Sequence, residues 1–322
     1  MQKLRVGIVR GGPSSEYDVS LKTGQTVLRH LPEKYIASDI LIDKAGDWYK
    51  DGWKTPPGEI FRNVDVVFNA LHGEYGEDGK IQQLMDSFGV PYTGSNALAS
   101  AIGMNKSQSK NIFKQNKIKT PAHLLFRKHE GTAQELAKSI FRLLPIPLIV
   151  KPVDRGSSVG VSKVMSFADL APALENAFSF SDTILVEEYI KGREATCGVI
   201  DNYRDQSVYP LLPIEIIPSK NSFFDYKAKY GGETQEVCPG NFSKEEKKVL
   251  QDLAVDVHKA LGLRHYSRTD FIISPKRGIY VLEVNTLPGL TEHSLMPKSL
   301  TAIGSNLSHF IDHIIQLAVN KR

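Results

Sequence analysis

Residues 268–295 read R-T-D-F-I-I-S-P-K-R-G-I-Y-V-L-E-V-N-T-L-P-G-L-T-E-H-S-L and predict two strands joined by a Pro-Lys-Arg-Gly turn. Side chains alternate along a strand, so Arg268 and Asp270 share one face, as do Glu283 and Asn285. If the strands pair, two carboxylates and an amide oxygen converge beside a guanidinium. This donor set predicts a Mg²⁺ site that bridges nucleotide phosphates. The alternative is two ordinary solvated acids on edge strands.

The composition is that of an ordinary globular protein, and 322 residues of 35.8 kDa suit two or three compact lobes. Net charge is +4, and no Lys/Arg block is interleaved with aromatic residues, so nucleic-acid binding is not favoured. No stretch approaches the roughly 20 apolar residues of a membrane span. Cys197 and Cys238 lack metal-binding spacing, which predicts thiols in a reducing compartment. We therefore expect a cytoplasmic protein without membrane or nucleic-acid partners.

The first 95 residues predict a parallel α/β unit. An apolar strand runs into a Gly-rich turn, and Glu16 stands at the start of the helix that follows. Glu16 is either a residue that stabilises the helix dipole or a carboxylate that binds a substrate ammonium. A second strand ends at His72 in the turn H-G-E-Y-G-E-D-G, where the side chain is either a turn residue or part of a site at the mouth of the sheet.

A phosphate-binding loop is predicted in the middle of the chain. Lys106 begins a Lys-rich helix, and a buried strand ends at Lys151 before the run P-V-D-R-G-S-S-V-G. A Gly-Ser-Ser-Val-Gly loop can enclose phosphates with backbone N–H and hydroxyl donors, while Lys151 supplies a charge. Neither a Walker A motif nor G-x-G-x-x-G occurs, which argues against a P-loop NTPase and a dinucleotide-binding enzyme.

The last part of the chain predicts a base and ribose site and a lid. Glu187 and Glu194 flank a turn between two strands and are placed to hydrogen-bond a base and a ribose, or they are exposed acids at strand ends. Residues 219–236 form a long polar and aromatic segment, which is typical of a lid, and Lys229 and Tyr230 are expected to point inward from it.

Several motifs together resemble the D-alanine–D-alanine ligase family of ATP-grasp enzymes. They cover nearly the whole chain in order: H-G-E-Y-G-E-D-G at 72–79, K-P at 151–152 with G-S-S-V-G at 156–160, E-E-Y-I-K-G-R-E at 187–194, D-Y-K-A-K-Y at 225–230, R-T-D at 268–270 and E-V-N-T-L-P-G-L-T-E-H-S-L at 283–295.

The resemblance implies an α/β ATP-grasp fold, in which an N-terminal Rossmann-like domain precedes two lobes that sandwich ATP. We expect the domains at residues 1–95, 96–186 and 187–322. The implied reaction joins two D-alanine molecules through an acyl phosphate, with ADP and phosphate released, for peptidoglycan precursor synthesis. A homodimer is also implied.

The resemblance also implies a role for each site residue. ATP would be bound by Lys106, Lys151, Ser158, Glu187, Glu188, Ile190, Glu194 and Lys229, and two Mg²⁺ (or Mn²⁺) ions by Asp270, Glu283 and Asn285. The amino acids would be bound by Glu16, His72, Arg268, Gly289, Ser294 and Leu295, where Arg268 and the Gly289 N–H form an oxyanion hole. Glu16, Ser157, Tyr230 and Arg268 would be catalytic, with Ser157 and Tyr230 linking the phosphate loop to the closed lid.

The sequence departs from the family pattern at Arg10, at Tyr17-Asp18, at Asn105 and at Thr269, and none of these positions is a predicted ligand. Tyr230 favours an amino acid as the second substrate, because relatives that use D-lactate typically carry His there. Two alternatives remain open at this point. The acceptor could be D-serine, D-lactate or another amino acid, or the fold could bind a nucleotide without turnover.

Overall fold

The computed structural model describes residues 3–218 and 234–320. The predicted lid, residues 219–236, lies largely outside the described residues, and Lys229 and Tyr230 lie outside them entirely. The part of the chain that is described folds into three sheets with helices packed on them. No helix within these two ranges is long and apolar enough to cross a membrane.

In the first sheet β1 (Leu4–Gly11) pairs in parallel with β2 (Tyr35–Ile42) on one side and β5 (Val66–Asn69) on the other, as an α/β unit requires, and the full strand order is β4-β3-β2-β1-β5. Side chains of β1 alternate between the two faces, so Val6 and Ile8 enter one core and Val9 enters the other. The elements are β1 (Leu4–Gly11), α1 (Tyr17–His30), β2 (Tyr35–Ile42), β3 (Trp48–Lys50), β4 (Trp53–Lys54), α2 (Pro57–Arg62), β5 (Val66–Asn69) and α3 (Lys80–Ser87).

The second sheet is antiparallel, with the order β6-β9-β7-β8. Two helices cover one face, where Ile140 and Leu174 are fully buried against Val150 and Val186. The α6 helix begins with a capping box between Thr132 and Glu135. The elements are β6 (His123–Arg127), α6 (Ala133–Leu143), β7 (Leu148–Pro152), β8 (Ser162–Val164), α7 (Leu170–Phe178) and β9 (Thr183–Glu188).

The third sheet has the order β13-β12-β10-β14-β15, and β11 pairs with β10. Its strands are β10 (Arg193–Tyr203), β11 (Gln206–Pro210), β12 (Ile214–Ile217), β13 (Gln235–Val237), β14 (Tyr266–Ser274) and β15 (Gly278–Asn285). The remaining helices are α4 (Ala97–Met104), α5 (Lys106–Gln115), α8 (Lys244–Ala260), α9 (Leu295–Ala302) and α10 (Leu307–Val319).

Among the described residues, some helices share a hydrophobic core with a sheet that is distant from them in the sequence. Helices α4 and α5 share a core with α8 and the third sheet, through Phe113 and Phe271. Helix α10 shares a core with the first sheet, through Phe310 and Ile314. Strand β9 continues to Glu188, across the predicted boundary at residue 187. The division at 95, 186 and 322 stays a prediction, and we propose that residues 97–115 and 307–319 pack outside the units assigned to them.

Candidate active site

The hairpin of β14 and β15 pairs in the predicted register. Asp270 lies directly opposite Glu283, and Arg268 lies opposite Asn285. The pairing shifts between Asp270 and Phe271, because β15 contains an extra residue, Leu282, at this point. The four polar side chains predicted to share a face are therefore brought together at one end of the hairpin.

Asp270 is held by two neighbours. Arg268 contacts both of its carboxylate oxygens, with Nε 3.1 Å from Oδ1 and Nη2 3.2 Å from Oδ2. The Thr196 hydroxyl donates to Oδ1 at 2.6 Å. Burial lowers the pKa of Arg268, but the charge and hydrogen bonds of Asp270, together with the charges of Glu283 and Glu77, outweigh burial and hold the pKa above its ordinary value. The guanidinium is therefore a permanent, fixed positive charge beside the hairpin.

Lys106 lies beside Glu283. Its Nζ is 3.5 Å from Glu283 Oε2 and donates to the carbonyl of Arg155 at 2.6 Å. Lys106 is the first residue of α5, whose N-cap is Asn105, and the Asn105 side chain accepts from the backbone N–H groups of residues 107 and 108. Asn105 departs from the family pattern, yet its amide oxygen still begins the helix that positions Lys106.

Glu187 lies between two lysines. Lys151 Nζ is 2.6 Å from its Oε1, and Lys110 Nζ is 3.0 Å from its Oε2. All three side chains are buried, with Glu187 3% and Lys110 0% exposed. Burial lowers the pKa of Lys110 to about 8. Burial also raises the pKa of Glu187, but the two lysines outweigh it and hold that pKa below its ordinary value.

A cleft of about 1020 Å³, including the open space at its mouth, lies between the second and third sheets. One part of its wall contains lysines and acids. Another part is apolar and suits a planar base. Nine of the residues predicted to bind ATP or metal line this cleft: Lys106, Lys151, Ser158, Glu187, Glu188, Ile190, Glu194, Asp270 and Glu283. The carboxylate of Glu188 accepts from Arg277 at 2.7 and 3.1 Å, so that side chain is already engaged.

The phosphate loop connects β7 to β8 and closes one side of the cleft. Ser157 and Ser158 both have left-handed backbone conformations, with φ of 53° and 60°. Successive residues of this kind make a turn that can direct backbone N–H groups at an anion. At the base of the loop, Arg155 forms an ion pair with Glu74 from the first unit.

Glu16 meets the phosphate loop from the other side. A Cβ placed on Gly156 would lie 2.7 Å from Glu16 Oε1, and one placed on Gly73 would lie 3.1 Å from it. The Glu16 side chain makes no capping hydrogen bond to α1. The carboxylate is thus at the junction of two glycine turns, which supports the substrate interpretation over the helix-dipole one.

His72 is 4% exposed and belongs to the same junction. Its Nε2 is 2.8 Å from the Thr23 hydroxyl, and its Nδ1 is 3.8 Å from Glu77 Oε1. Glu77 also accepts from the Gly73 N–H at 3.0 Å. His72 therefore fixes the shape of the turn, and its role in binding substrate stays a prediction.

The predicted carboxylate site lies where α9 begins. Ser294 is the N-cap residue, Leu295 is the first helical residue, and the Ser294 hydroxyl is 2.7 Å from that of Thr291. A Cβ on Gly289 would lie 3.0 Å from Ser294 Oγ, so the two segments are close together. The N-terminus of a helix offers unpaired N–H groups to an anion.

Lys110 is the residue of this cluster that the sequence did not assign to the site. Its spacing one turn after Lys106 was a signal that both lysines face the same direction on α5. Its partner, Glu187, is distant in the sequence, so only the fold brings the two together.

A parallel α/β unit followed by two antiparallel sheets, with a cleft of lysines and acids between them, defines an ATP-grasp ligase. Two family models match the chain: D-ala D-ala ligase N-terminus over residues 5–59 and 54–95, and D-ala D-ala ligase C-terminus over residues 112–316. The chain belongs to the D-alanine–D-alanine ligase family of enzymes.

Curated relatives have the same extent as this chain. The D-alanine–D-alanine ligase of Halothermothrix orenii is 36% identical, with 100% of both chains covered. That of Geotalea uraniireducens is 38% identical, with 98% of this chain and 96% of the relative covered.

Solved structures agree on the fold. The VanG D-Ala:D-Ser ligase of Enterococcus faecalis has a TM-score of 0.86 at 31% identity, with 99% of this chain and 100% of that chain covered. The D-alanine–D-alanine ligase of Coxiella burnetii has a TM-score of 0.85 at 25% identity, with 100% and 95% covered. The ATP-grasp fold predicted from the sequence is confirmed.

Proposed function

We propose that this chain joins two D-alanine molecules to D-alanyl-D-alanine, with ATP converted to ADP and phosphate. The observation that carries the proposal is the position of Asp270 and Glu283 opposite each other, in one cleft with Lys106 and Lys151. Phosphoryl transfer requires this combination of acids for a divalent cation and lysines for phosphate. Membership of the ligase family supports the choice of amino acid substrates.

The residues at the end of the hairpin fit two Mg²⁺ (or Mn²⁺) ions. Asp270, Glu283 and Asn285 would hold them together with phosphate oxygens, because hard cations prefer oxygen ligands. Asn285 Oδ1 accepts from the Leu287 N–H at 3.0 Å and retains a second lone pair. Among the described residues no three His, Cys, Asp or Glu side chains form a metal cluster, and phosphate oxygens of the nucleotide would complete the donor set. When bound, the cations neutralise charge on the phosphoryl group that is transferred.

The first half of the reaction activates a carboxylate. Glu16 binds the ammonium of the first D-alanine, and that amino acid's carboxylate oxygen attacks the γ-phosphorus of ATP. The bond from phosphorus to the bridging oxygen breaks, which yields an acyl phosphate and ADP. Lys106 and Lys151 offset the charge of the phosphates, and the loop at Ser157 and Ser158 covers them.

The second half forms the peptide bond. The amine of the second D-alanine, after loss of a proton, attacks the acyl carbon, and phosphate leaves with the electrons of the carbon–oxygen bond. Arg268 and the Gly289 N–H stabilise the oxyanion of the tetrahedral intermediate. Ser294 and Leu295 bind the acceptor carboxylate at the start of α9. Exclusion of water protects the acyl phosphate from hydrolysis.

We also propose that the chain works in the cytosol as a homodimer, for peptidoglycan precursor synthesis. These statements extend the family resemblance. Light scattering on the purified protein tests the dimer directly, because a mass of one 35.8 kDa chain would contradict it.

A coupled assay for ADP release tests the reaction. The chain is supplied with ATP, Mg²⁺ and D-alanine, alone or with L-alanine, D-lactate or D-serine, and the ligated product is identified by mass spectrometry. D-alanyl-D-alanine with stoichiometric ADP is expected. Faster ligation of D-serine than of D-alanine would show that the acceptor of this chain is D-serine, the substrate in the name of the VanG D-Ala:D-Ser ligase. No ADP release with any of these substrates would overturn the proposal.

A further inference from the structure

A fully buried lysine lies behind the ATP cleft without lining it. Lys110 is 0% exposed and is absent from the wall of the cleft, whereas Lys151 and Glu187 line that wall. Its Nζ donates to the Thr120 hydroxyl at 2.7 Å and lies 3.0 Å from Glu187 Oε2. The ammonium group is therefore fixed at a single position, directly behind the Glu187 carboxylate.

The charges of this cluster do not cancel. Glu187 contributes one negative charge, and Lys110 and Lys151 contribute one positive charge each, so the three groups together carry +1. Each lysine contacts a different oxygen of the same carboxylate, at 3.0 and 2.6 Å. Because both lysines are buried, little water is present to screen these charges, and each charge acts strongly on its neighbours.

We propose that Lys110 is a positioning residue of the ATP cleft, which balances the charge of Glu187 from behind so that Lys151 remains available to the phosphates. Without Lys110, Glu187 and Lys151 would form a neutral pair and would hold each other at 2.6 Å. The excess positive charge at the wall would then be lost. This inference rests on the proposed binding of ATP in the cleft.

The direction of the lysine pKa values agrees with this arrangement. Burial lowers the pKa of Lys151, but Glu187 and Glu283 outweigh it and leave the pKa above its ordinary value. Burial lowers the pKa of Lys110, and the nearby charge of Glu187 does not bring that pKa back to its ordinary value. Lys151 is therefore the more firmly charged of the two, as a phosphate ligand must be.

The test compares the affinities of ATP and adenosine, since only ATP carries phosphates. Calorimetry on the full chain with Mg²⁺ gives both dissociation constants for the unaltered protein, for Lys110→Met and for Lys114→Met. Lys114 is an exposed lysine one turn further along α5 and is the matched control. We expect Lys110→Met to weaken the binding of ATP by about tenfold and that of adenosine by less than about twofold, because the charge-assisted contact of Lys151 with the phosphates would be weakened.

A second variant separates charge balance from packing. In Lys110→Met/Glu187→Gln both opposing charges are gone, so Lys151 recovers its excess charge, and ATP affinity relative to adenosine should return to within about threefold of the unaltered protein. Because Glu187 is also predicted to contact the base, its loss should affect ATP and adenosine equally, and a double variant whose ATP affinity relative to adenosine is as low as that of Lys110→Met would overturn the inference. If the single variant does not fold, the double variant is compared with the unaltered protein, and a tenfold loss of ATP affinity relative to adenosine would likewise overturn the inference.

The proposed function and this inference fail in different ways. An unaltered protein that binds no ATP contradicts the proposed function. An unaltered protein that binds ATP, together with a folded Lys110→Met that binds it equally well, contradicts only the role of Lys110.

Discussion

The side chains of Glu74 and Arg155 form an ion pair that joins the first unit to the base of the phosphate loop. Both partners are held in place by other contacts. The Ser14 hydroxyl donates to Glu74 Oε2 at 3.1 Å, and Arg155 Nε donates to the carbonyl of Phe180 at 2.9 Å. The phosphate loop is thus tied to the turn that carries His72 and, through Ser14, to the turn that carries Glu16.

Removal of this pair should loosen the loop. We expect Glu74→Gln and Arg155→Gln each to raise the KM for D-alanine by about three- to tenfold, with a smaller change in kcat, because the loop must then be ordered when substrate binds. Steady-state kinetics measures both constants. The charge-reversed double variant Glu74→Arg/Arg155→Glu should recover part of the loss, and no recovery would argue against the ion pair as the cause.

Asp270→Asn should lower turnover far more than nucleotide affinity. The substitution keeps the size of the side chain but removes the charge that offsets Arg268 and that we propose binds the cation. We expect kcat to fall by about a hundredfold or more and the dissociation constant of ATP to change by less than about fivefold. Stopped-flow or coupled ADP assays at saturating Mg²⁺ give the first value and calorimetry the second. Unchanged turnover would contradict the metal assignment.

ATP affinity should fall as the pH rises through about 8, because burial lowers the pKa of Lys110 to that value. Above it the lysine is neutral, and Glu187 is then balanced by Lys151 alone. The other titratable groups that face Lys110 are Glu283 and His123, and burial lowers the pKa of His123 from its ordinary value, so it is already neutral in this range. The measurement is the dissociation constant of ATP from pH 7 to 9.5. Lys110→Met should show a flatter profile, and an equally steep one would contradict the assignment.

Asp201 should contribute to stability at neutral pH and lose that contribution in acid. Burial raises its pKa, but hydrogen bonds from His258 and from the His265 N–H outweigh burial and hold the pKa below its ordinary value. A carboxylate with a depressed folded pKa stabilises the fold above its unfolded pKa and stops doing so as pH falls through the folded value. Asp201→Asn should cost about 1–3 kcal/mol at pH 7, with a smaller cost below about pH 4.

Urea unfolding at both pH values measures this effect. Asp205→Asn is the control, because Asp205 is an exposed residue in the turn between β10 and β11. A cost for Asp201→Asn that stays the same across the acid range would show that the carboxylate's charge is not responsible.

Phe310→Ala should destabilise the protein strongly. Phe310 is 0% exposed and meets Tyr266 edge-on, with ring centroids 5.2 Å apart, in the core that α10 shares with the first sheet. Large-to-small changes at such positions cost about 3–5 kcal/mol. Phe141→Ala is the matched control, since Phe141 is 52% exposed, and its cost should be below about 1 kcal/mol. Chemical denaturation of both variants checks the difference, and equal costs would contradict the packing argument.

The hairpin could be predicted from the sequence because strand periodicity is a local property. Side-chain alternation along the two strands was enough to predict that Asp270 and Glu283 lie close together, and the structure pairs these two residues. The bulge at Leu282 could not be predicted, since residues 279–282 are all apolar and the change of face at the extra residue does not show in their pattern. Motif order and spacing likewise indicated the ATP-grasp fold, which the comparisons confirm.

Contacts between distant segments were beyond the sequence. The one-turn spacing of Lys106 and Lys110 indicated a shared helix face, but Glu187 reaches Lys110 only through the packing of α5 beside β9. In the same way, nothing in the sequence indicates that α10 packs against the first sheet. Hydrophobic periodicity indicates that one face of a helix is buried, but only the tertiary structure shows which element packs against that face.

The packing of α10 against the first sheet limits when this part of a newly synthesised chain can finish folding. Val6, Ile8 and Phe68 belong to the core that α10 closes, yet some 240 residues separate β5 from that helix. Helix α1 also contributes Val27 to this core, but the core stays incomplete during synthesis until residues 307–319 have left the ribosome. The core of the first unit is therefore completed only after the second and third sheets have been synthesised, when α10 packs against it.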